Sequence, residues 1–306
     1  MRLIRMSIPA AYMGIILLWS TTPLALQWST QGPGFAFAAL ARMLTGFIVA
    51  VLILRLWRID FPLHGKARRA YVVGGVGLFG AMSFTYWAAQ YIPSGLISVM
   101  YGLTPLLAAI LAALFLGENS LTPRKLLGVL AGAGGLAVIF LQGGISSQAG
   151  TLPGLLAMLL AVLIYSGSIV WLKQIGDDSP PLATTVGSLG VSLPLFAALW
   201  GLADGNLPAA LPGRSLAAIA YLGVFGSVLG FALYYYVIKH LPAASVGLVT
   251  LVTPVIALVL GHLLNHEALG WRLWAGTGLI LSGLVAHQWD SLKAVRWHPR
   301  RYTLVS

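Results

Sequence analysis

The charges of this chain are confined to short breaks between long apolar runs, and this feature constrains its fold more than any other. Of the 306 residues, 58% are hydrophobic and only 8% are charged, whereas about a quarter of the residues in an average soluble protein are charged. So few charges cannot cover a water-facing surface, and a membrane span needs roughly 20 apolar residues. We therefore expect an integral membrane protein.

The chain has no cysteine, which excludes disulfides and thiolate metal ligands.

Division of the chain at its polar breaks gives ten apolar segments of spanning length. The first segment resembles a signal peptide, but its apolar run continues to Leu26 without a clean small-residue cleavage site, which favours a retained span. The predicted helices are 9–28, 34–56, 71–90, 94–116, 123–141, 151–172, 181–202, 214–238, 243–264 and 271–289.

The lysines and arginines predict the orientation of these spans. If the amino terminus lies in the cytoplasm, 15 of the 18 basic side chains fall in cytoplasmic segments, two fall outside, and Arg42 lies within a span. Cytoplasmic loops carry an excess of lysine and arginine. We therefore predict a multi-pass protein of the inner (plasma) membrane with both termini in the cytoplasm. This placement also explains the net charge of +11 without a nucleic-acid partner.

An internal repeat relates the two halves of the chain. At an offset of 149 residues, positions 91–140 share ten identities with positions 240–289. Because five spans precede the second set, that set crosses the membrane in the opposite sense. We expect an all-α integral membrane fold of two inverted-topology five-helix repeats, 1–145 and 146–290, followed by a basic cytoplasmic tail, 291–306. Such repeats are typical of secondary transporters. The most informative identities are Pro93/Pro242, Thr104/Thr253, Pro105/Pro254 and Glu118/Glu267.

On these motifs the chain resembles the EamA-type permeases of the drug/metabolite transporter superfamily. The resemblance rests on "YIPSGL…LTPLLAAILAALFLGE" and "HLPAASVGLVTLVTPVIALVLGHLLNHE", and it covers roughly residues 10–290. It implies ten helices in two inverted repeats and, commonly, export of amino acids or other small metabolites. "LGE" in the first half becomes "NHE" at residues 265–267 in the second, so a shared role for Glu118 and Glu267 does not follow. Pairing with a nearby basic residue, Arg272 for Glu267, or binding to a helix end explains either glutamate.

The Thr-Pro pairs lie near the middle of two predicted spans. A proline at this depth frees a backbone carbonyl, which a hydroxyl, water or substrate can bind. Pro105 and Pro254 are therefore either hinges that line a cavity or static kinks that shape its wall. The sequence favours neither alternative.

Arg42 is a charge within a span, which costs about 2.5–3.5 kcal/mol even on a lenient scale. One interpretation is a clamp for the carboxylate of an anionic or zwitterionic substrate. The other is a structural arginine that binds carbonyl groups at helix ends, which the family resemblance favours.

Hydroxyl and aromatic side chains away from the predicted interfaces complete the candidate site. Some of the aromatic rings will face lipid or pack in the core, and the others can form an apolar cavity with hydroxyl groups. The predicted substrate-binding residues are Trp19, Arg42, Tyr86, Trp87, Ser98, Tyr101, Thr104, Tyr165, Tyr234, Tyr235, Thr250 and Thr253.

Three functions are consistent with these features. The favoured one is a secondary transporter that exports neutral or aromatic amino acids, or related metabolites, by alternating access. A carrier of anionic metabolites such as sugar phosphates would need several embedded basic residues, and only Arg42 qualifies. An integral-membrane enzyme lacks support, because the sequence has no embedded catalytic pair, metal-ligand cluster or nucleotide-binding motif. We therefore expect no cofactor, a small-molecule substrate in a lipid bilayer, and a monomer or homodimer.

Overall fold

A computed structural model describes residues 7–117, 122–140, 150–203, 205–208, 210–230, 233, 237, 243–268 and 270–294; for residues 140, 243–247 and 290–294 only the backbone is described. Every regular element in these ranges is helical. The elements are α1 (Ile8–Thr30), α2 (Phe35–Leu56), α3 (Gly65–Ala88), α4 (Ser94–Tyr101), α5 (Thr104–Leu116), α6 (Pro123–Phe140), α7 (Thr151–Ile175), α8 (Pro181–Ala203), α9 (Gly213–Tyr221), the π-helix π1 (Leu222–Leu229), α10 (Ala243–Asn265) and α11 (Trp271–Ala294).

The predicted spans coincide with these helices. The fourth span comprises α4 and α5, and the eighth begins with α9 and π1. Within the described ranges, six segments have the length and hydropathy of a membrane span: α1, α2, α4 with α5, α7, α8 and residues 248–265 of α10. Helix α3 begins with Lys66, Arg68 and Arg69, which lowers its mean hydropathy without preventing helix formation.

Local signals set the helix boundaries. The Ser7 hydroxyl accepts a hydrogen bond from the backbone N–H of Ala10 at 3.3 Å, which satisfies one of the unpaired amides at the start of α1. Gly117 and Gly176 end α5 and α7 with φ angles of 64° and 56°, a left-handed conformation that glycine adopts readily.

The helix contacts follow the internal repeat. Helix α11 packs along α6, α3 packs between α7 and α8, and α2 contacts both α8 and π1. Helix α1 contacts α9 and α10, while α4 packs on α10 and α5 on α7. If each of the first five spans is exchanged for its partner in the second five, every one of these contacts maps onto itself or onto another of them.

Helix α4 lies at the centre of the bundle. All residues from Ser94 to Met100 are buried, although a helix facing lipid on one side would expose part of its surface. Close approach to α10 is possible because Gly95 has no side chain: a Cβ there would lie 2.6 Å from the Cα of Leu258. The fourth span therefore runs between other helices and is shielded from lipid at this end.

Candidate functional site

The fourth span is divided at its centre by a short turn, whose residues Gly102 and Leu103 keep right-handed backbone angles. Helix α4 ends at Tyr101, Gly102 and Leu103 form a turn, and α5 begins at Thr104. Pro105 lies in the first turn of α5, where its missing N–H would have had no helical partner. Pro254, by contrast, lies inside the continuous helix α10. The two Thr-Pro pairs match in sequence but differ in structure, because only the first one separates two helices.

Polar and aromatic side chains of four helices meet at this break. The Tyr101 hydroxyl lies 2.8 Å from the Thr85 hydroxyl. The Tyr101 ring contacts that of Tyr165 edge to face, with centroids 5.8 Å apart. Ser166 donates a hydrogen bond to the backbone carbonyl of Thr104 at 3.4 Å. We call Thr85, Tyr101, Thr104, Tyr165 and Ser166 the Tyr101 cluster.

The Tyr101 cluster has spare hydrogen-bonding capacity. The Thr104 hydroxyl is buried and has no hydrogen-bond partner among the described residues. An unsatisfied buried hydroxyl is costly in an apolar surrounding, and each Tyr and Thr hydroxyl can both donate and accept. The cluster therefore offers mid-span binding groups to a polar molecule of small size.

Arg42 is buried in α2, with 7% of its surface exposed. Its Nε and Nη1 atoms have no hydrogen-bond partner in the part of the chain that the structure describes. It lies within electrostatic range of Tyr101, and a Cβ at Gly226 of π1 would lie 3.6 Å from its Nη2. A buried guanidinium with two donor nitrogens that have no partner among the described residues is a suitable partner for a carboxylate.

The π-helix lies beside Arg42. Short π-helical segments are rare and frequently occur at functional sites. Three glycines of the eighth span open its surface: Gly223 faces Thr45, Gly226 faces Arg42, and a Cβ at Gly230 would lie 3.5 Å from the indole nitrogen of Trp19. Trp19 and Arg42 thus face the same segment of the eighth span.

The remaining predicted residues are more dispersed. Tyr86 is fully buried, and its hydroxyl has no partner within the described ranges. Trp87 packs against Tyr91 with ring centroids 4.8 Å apart, near the end of α3. Ser98 is buried in α4, one turn before Tyr101.

The candidates of the second half lie partly in α10. Thr253 is buried, while Thr250 accepts a hydrogen bond from Gln288 of α11 at 3.5 Å. Tyr234 and Tyr235 lie outside the described residues, as does Glu118.

Sequence reasoning did not select Thr85 or Ser166 as site residues. Thr85 carries no sequence signal of its own, because only folding brings α3 against α4. Ser166 does carry one: the segment "LIYS" that ends at Ser166 matches "LLWS" before Ser20 at an offset of 146. Both serines are fully buried.

Glu267 binds a helix end, which was one of the two roles expected for it. Its carboxylate accepts hydrogen bonds from the backbone N–H groups of Ser94 at 3.0 Å and Gly95 at 3.4 Å. These are the first amides of α4, where the helix dipole favours a negative charge. Asn265, part of the "NHE" departure from the first repeat, donates a further bond to the carboxylate at 3.0 Å.

A separate groove of about 250 Å³ lies between α6 and α11. None of the predicted substrate-binding residues lines it, so it does not belong to the Tyr101 cluster. Its lining residues are Arg124, Leu127, Ser282, Val285, Ala286 and Trp289.

The helices and the buried polar groups define the class as a helical, multi-pass membrane protein. A model of the EamA-like transporter family matches the chain twice, at residues 8–141 and 152–286. The chain therefore belongs to the EamA-like transporter family, and the resemblance drawn from its Thr-Pro motifs is confirmed. The six apolar segments agree with a multi-pass membrane protein.

Several relatives of the chain are described as transporters without a named substrate. An uncharacterized transporter of Archaeoglobus fulgidus is 25% identical over 275 residues, which covers 88% of this chain and 94% of that one. The uncharacterized inner membrane transporter YedA of Escherichia coli K12 is 25% identical over 285 residues, covering 90% and 88%. An uncharacterized Pseudomonas aeruginosa protein is 34% identical over 252 residues, covering 81% and 82%.

A solved crystal structure has a similar fold. It superposes with a TM-score of 0.61 at 25% identity, and the match covers 94% of this chain and 98% of the other.

Proposed function

We propose that the protein is a secondary transporter that exports small metabolites by alternating access. Its substrates are neutral amino acids with large apolar or aromatic side chains, or related compounds. The observation that carries this proposal is the Tyr101 cluster, where rings and hydroxyl groups meet at the broken fourth span. Broken backbone is tolerated at membrane depth where it is buried in protein or lines a cavity.

The chemistry of the candidate residues supports this substrate class. Aromatic walls favour an apolar side chain, whose burial stabilises the complex by about 1.5–3 kcal/mol. Threonine and tyrosine hydroxyls can bind an amino group, and Arg42 can bind a carboxylate. The proposed binding residues among those described are Trp19, Arg42, Tyr86, Trp87, Ser98, Tyr101, Thr104, Tyr165, Thr250 and Thr253; Tyr234 and Tyr235 are proposed from the sequence alone.

Alternating access in this proposal uses the two related halves. We propose that the halves are inverted, with both termini in the cytoplasm, and that Pro105 and Pro254 act as hinges. The helix contacts support it, because exchange of the halves maps the most extensive contacts onto themselves or onto one another. Two conformations of comparable energy then follow from one packing scheme. The proposed driving force is a gradient of substrate or of protons across the inner membrane, and the proposed assembly is a monomer or homodimer.

A counterflow assay in proteoliposomes tests the substrate class. A panel of amino acids is offered with and without a pH gradient, and we expect phenylalanine to exchange faster than alanine or threonine. Trp19→Ala and Tyr101→Ala should weaken transport of the aromatic substrates more than that of the small ones, because each removes a ring from the proposed wall.

Arg42 supports a second candidate, a carrier of anionic metabolites such as sugar phosphates. Its buried guanidinium is an anion-binding group, yet a phosphate would face a large desolvation cost with one described arginine to offset it. The same assay separates the candidates. If sugar phosphates compete better than phenylalanine, the amino-acid assignment is wrong and the anion carrier takes its place.

A further inference from the structure

Glu267 lies where four helix ends of the bundle meet. These are the carboxyl ends of α1 and α10 and the amino ends of α4 and α9, which we call the Glu267 end. The side chain is buried, with 8% of its surface exposed. The backbone folds back onto α10 at this point: the N–H of Glu267 bonds the carbonyl of Gly261 at 3.2 Å, and its own carbonyl lies 2.8 Å from Nδ1 of His262. The carboxylate is thereby held in a fixed position.

The carboxylate occupies space that a glycine leaves open. A Cβ at Gly261 would collide with the Glu267 carboxylate and would lie 2.9 Å from the hydroxyl of Ser94. Through its bonds to the first amides of α4, Glu267 fixes the helix that carries Ser98 and Tyr101. A contact at the bundle end is thus linked by one rigid helix to the Tyr101 cluster.

Asn265 extends the same network to α1. Its amide oxygen accepts a hydrogen bond from the indole of Trp28 at 3.1 Å, and its amide nitrogen donates to Gln27 at 2.9 Å. Gln27 in turn donates to the carbonyl of Ala89, which follows α3, at 3.4 Å.

The amino end of α9 closes the network. The guanidinium of Arg214 lies 3.8 Å from the ring centroid of Trp28 and donates to the carbonyl of Leu264 at 3.4 Å. Ser215 donates to the carbonyl of Trp28 at 3.0 Å. Hydrogen bonds therefore join four spans and the α3–α4 connection around Glu267 and Asn265.

The internal repeat shows that this arrangement is not shared by both halves. At the offset of 149, Gly261 corresponds to Ala112 and Asn265 to Leu116. A leucine cannot make the bonds of Asn265, and Ala112, which is buried, has the Cβ that Gly261 lacks. The side-chain bonds of Asn265 therefore have no counterpart in the first half, and Ala112 carries a methyl group where Gly261 leaves space for the carboxylate.

We infer that Glu267 and Asn265 form a latch that holds the substrate pathway closed at the Glu267 end. The inference rests on the proposed alternating access and adds to it a resting state and the residues that set it. Because leucine and alanine in the other half stand in place of Asn265 and Gly261, the two conformations differ in stability, and the state closed at the Glu267 end is the more populated one. Opening requires the carboxylate to leave the amino end of α4.

Side-specific cysteine labelling tests the latch without any knowledge of the substrate. The chain has no cysteine, so Ser98→Cys provides a single reporter, four residues or about 6 Å along α4 from Ser94. A membrane-impermeant maleimide is applied to intact cells and, in parallel, to inside-out vesicles. Ser20→Cys on α1 serves as a second reporter if the first variant folds poorly, which size-exclusion chromatography detects.

Two latch variants are combined with each reporter. Glu267→Gln keeps the side-chain volume but removes the charge, and Asn265→Leu introduces the residue found in the first repeat. Hydrogen bonds to charged groups contribute more than neutral ones, so we expect labelling from one membrane side to rise about tenfold. Labelling from the other side should fall, because an increase in the population of one conformation lowers the population of the other.

The matched control lies at the other end of the bundle. The Nε2 atom of His64 is 3.8 Å from a carboxylate oxygen of Asp177. Asp177→Asn also removes a carboxylate, but at the end opposite to Glu267. It should therefore not increase labelling from the side that the latch variants expose. Unchanged labelling from both sides in both latch variants would overturn the latch. A different outcome would separate the latch from the proposed function. If the latch variants change the labelling but the protein transports none of the amino acids in the counterflow assay, the proposed function is wrong and the latch stands.

Discussion

Replacement of Gly135 by alanine should destabilise the contact between α6 and α11. A Cβ at this position would lie 2.5 Å from the carbonyl oxygen of Gly276 and 3.0 Å from the backbone nitrogen of Ile280. Both neighbours are backbone atoms of a facing helix, so neither can rotate away. The helices must separate by several tenths of an ångström along their shared interface.

The expected cost follows from these distances. Extra atoms in a well-packed interface typically cost about 1–3 kcal/mol, and rigid backbone neighbours place Gly135→Ala at the upper end of that range. Alanine recovers up to about 1 kcal/mol through its higher helix propensity. A net loss of about 2 kcal/mol corresponds to a decrease in Tm of about 3 °C for a chain of this size.

The adjacent Gly134 provides a matched control on the same helix. No atom lies within 4 Å of a Cβ built there, so Gly134→Ala gains helix propensity without a clash, and its Tm should be unchanged or higher. The assay is thermal unfolding of the purified protein in detergent, followed by circular dichroism or light scattering. Equal Tm values for the two variants would refute the backbone-to-backbone packing of α6 and α11.

Three further predictions concern topology, the hinge and the charge. A cysteine in place of the exposed Leu207 should react with an impermeant thiol reagent in intact cells, while one in place of Lys66 should not. The reverse labelling pattern would contradict the proposed orientation. Pro105→Ala should slow turnover more than it weakens equilibrium substrate binding, because alanine lets α4 and α5 join. Pro254→Ala should have the smaller effect, since α10 is already continuous. If turnover is unchanged in both variants, the two prolines are static kinks and not hinges. Arg42→Gln should raise the KM for amino acids at least tenfold and should raise the KM for an amino-acid amide, which lacks the carboxylate, by less. An equal increase in KM for both compounds would indicate that Arg42 has a structural role.

The sequence anticipated the helical elements because their cause is local. An apolar run of about 20 residues in a bilayer must satisfy its own backbone hydrogen bonds, and a helix does so within one segment. The ten predicted segments therefore appear as helices in the described part of the chain. The family was equally accessible, since the Thr-Pro motifs and the repeat are properties of the residue order.

The candidate site was only partly accessible from the sequence. Arg42, Tyr101 and Thr104 are conspicuous because a charge, a phenol or a Thr-Pro pair is unusual at mid-span. Thr85 of α3, which bonds Tyr101, carries no signal in its own segment. Ser166 of α7, which bonds the carbonyl of Thr104, carries only the match between "LIYS" and "LLWS", and this match does not point to the fourth span. The sequence supported equally an ion pair of Glu267 with Arg272 and its binding to a helix end. The structure shows the second role, because the backbone N–H groups of Ser94 and Gly95 donate to its carboxylate.

The sequence by itself determined the membrane-spanning class, the positions of the apolar segments, the repeat and the family, because hydropathy and residue order act within single segments. The tertiary structure decided which of two matched Thr-Pro pairs breaks its helix and which side chains converge on that break. It also placed Glu267 and Asn265 among four helix ends, while leucine and alanine stand at the equivalent positions of the other half. These features depend on contacts between different helices, whose residues lie from 16 to 238 positions apart. Such contacts form when helices pack and are not encoded in the hydropathy of any one helix.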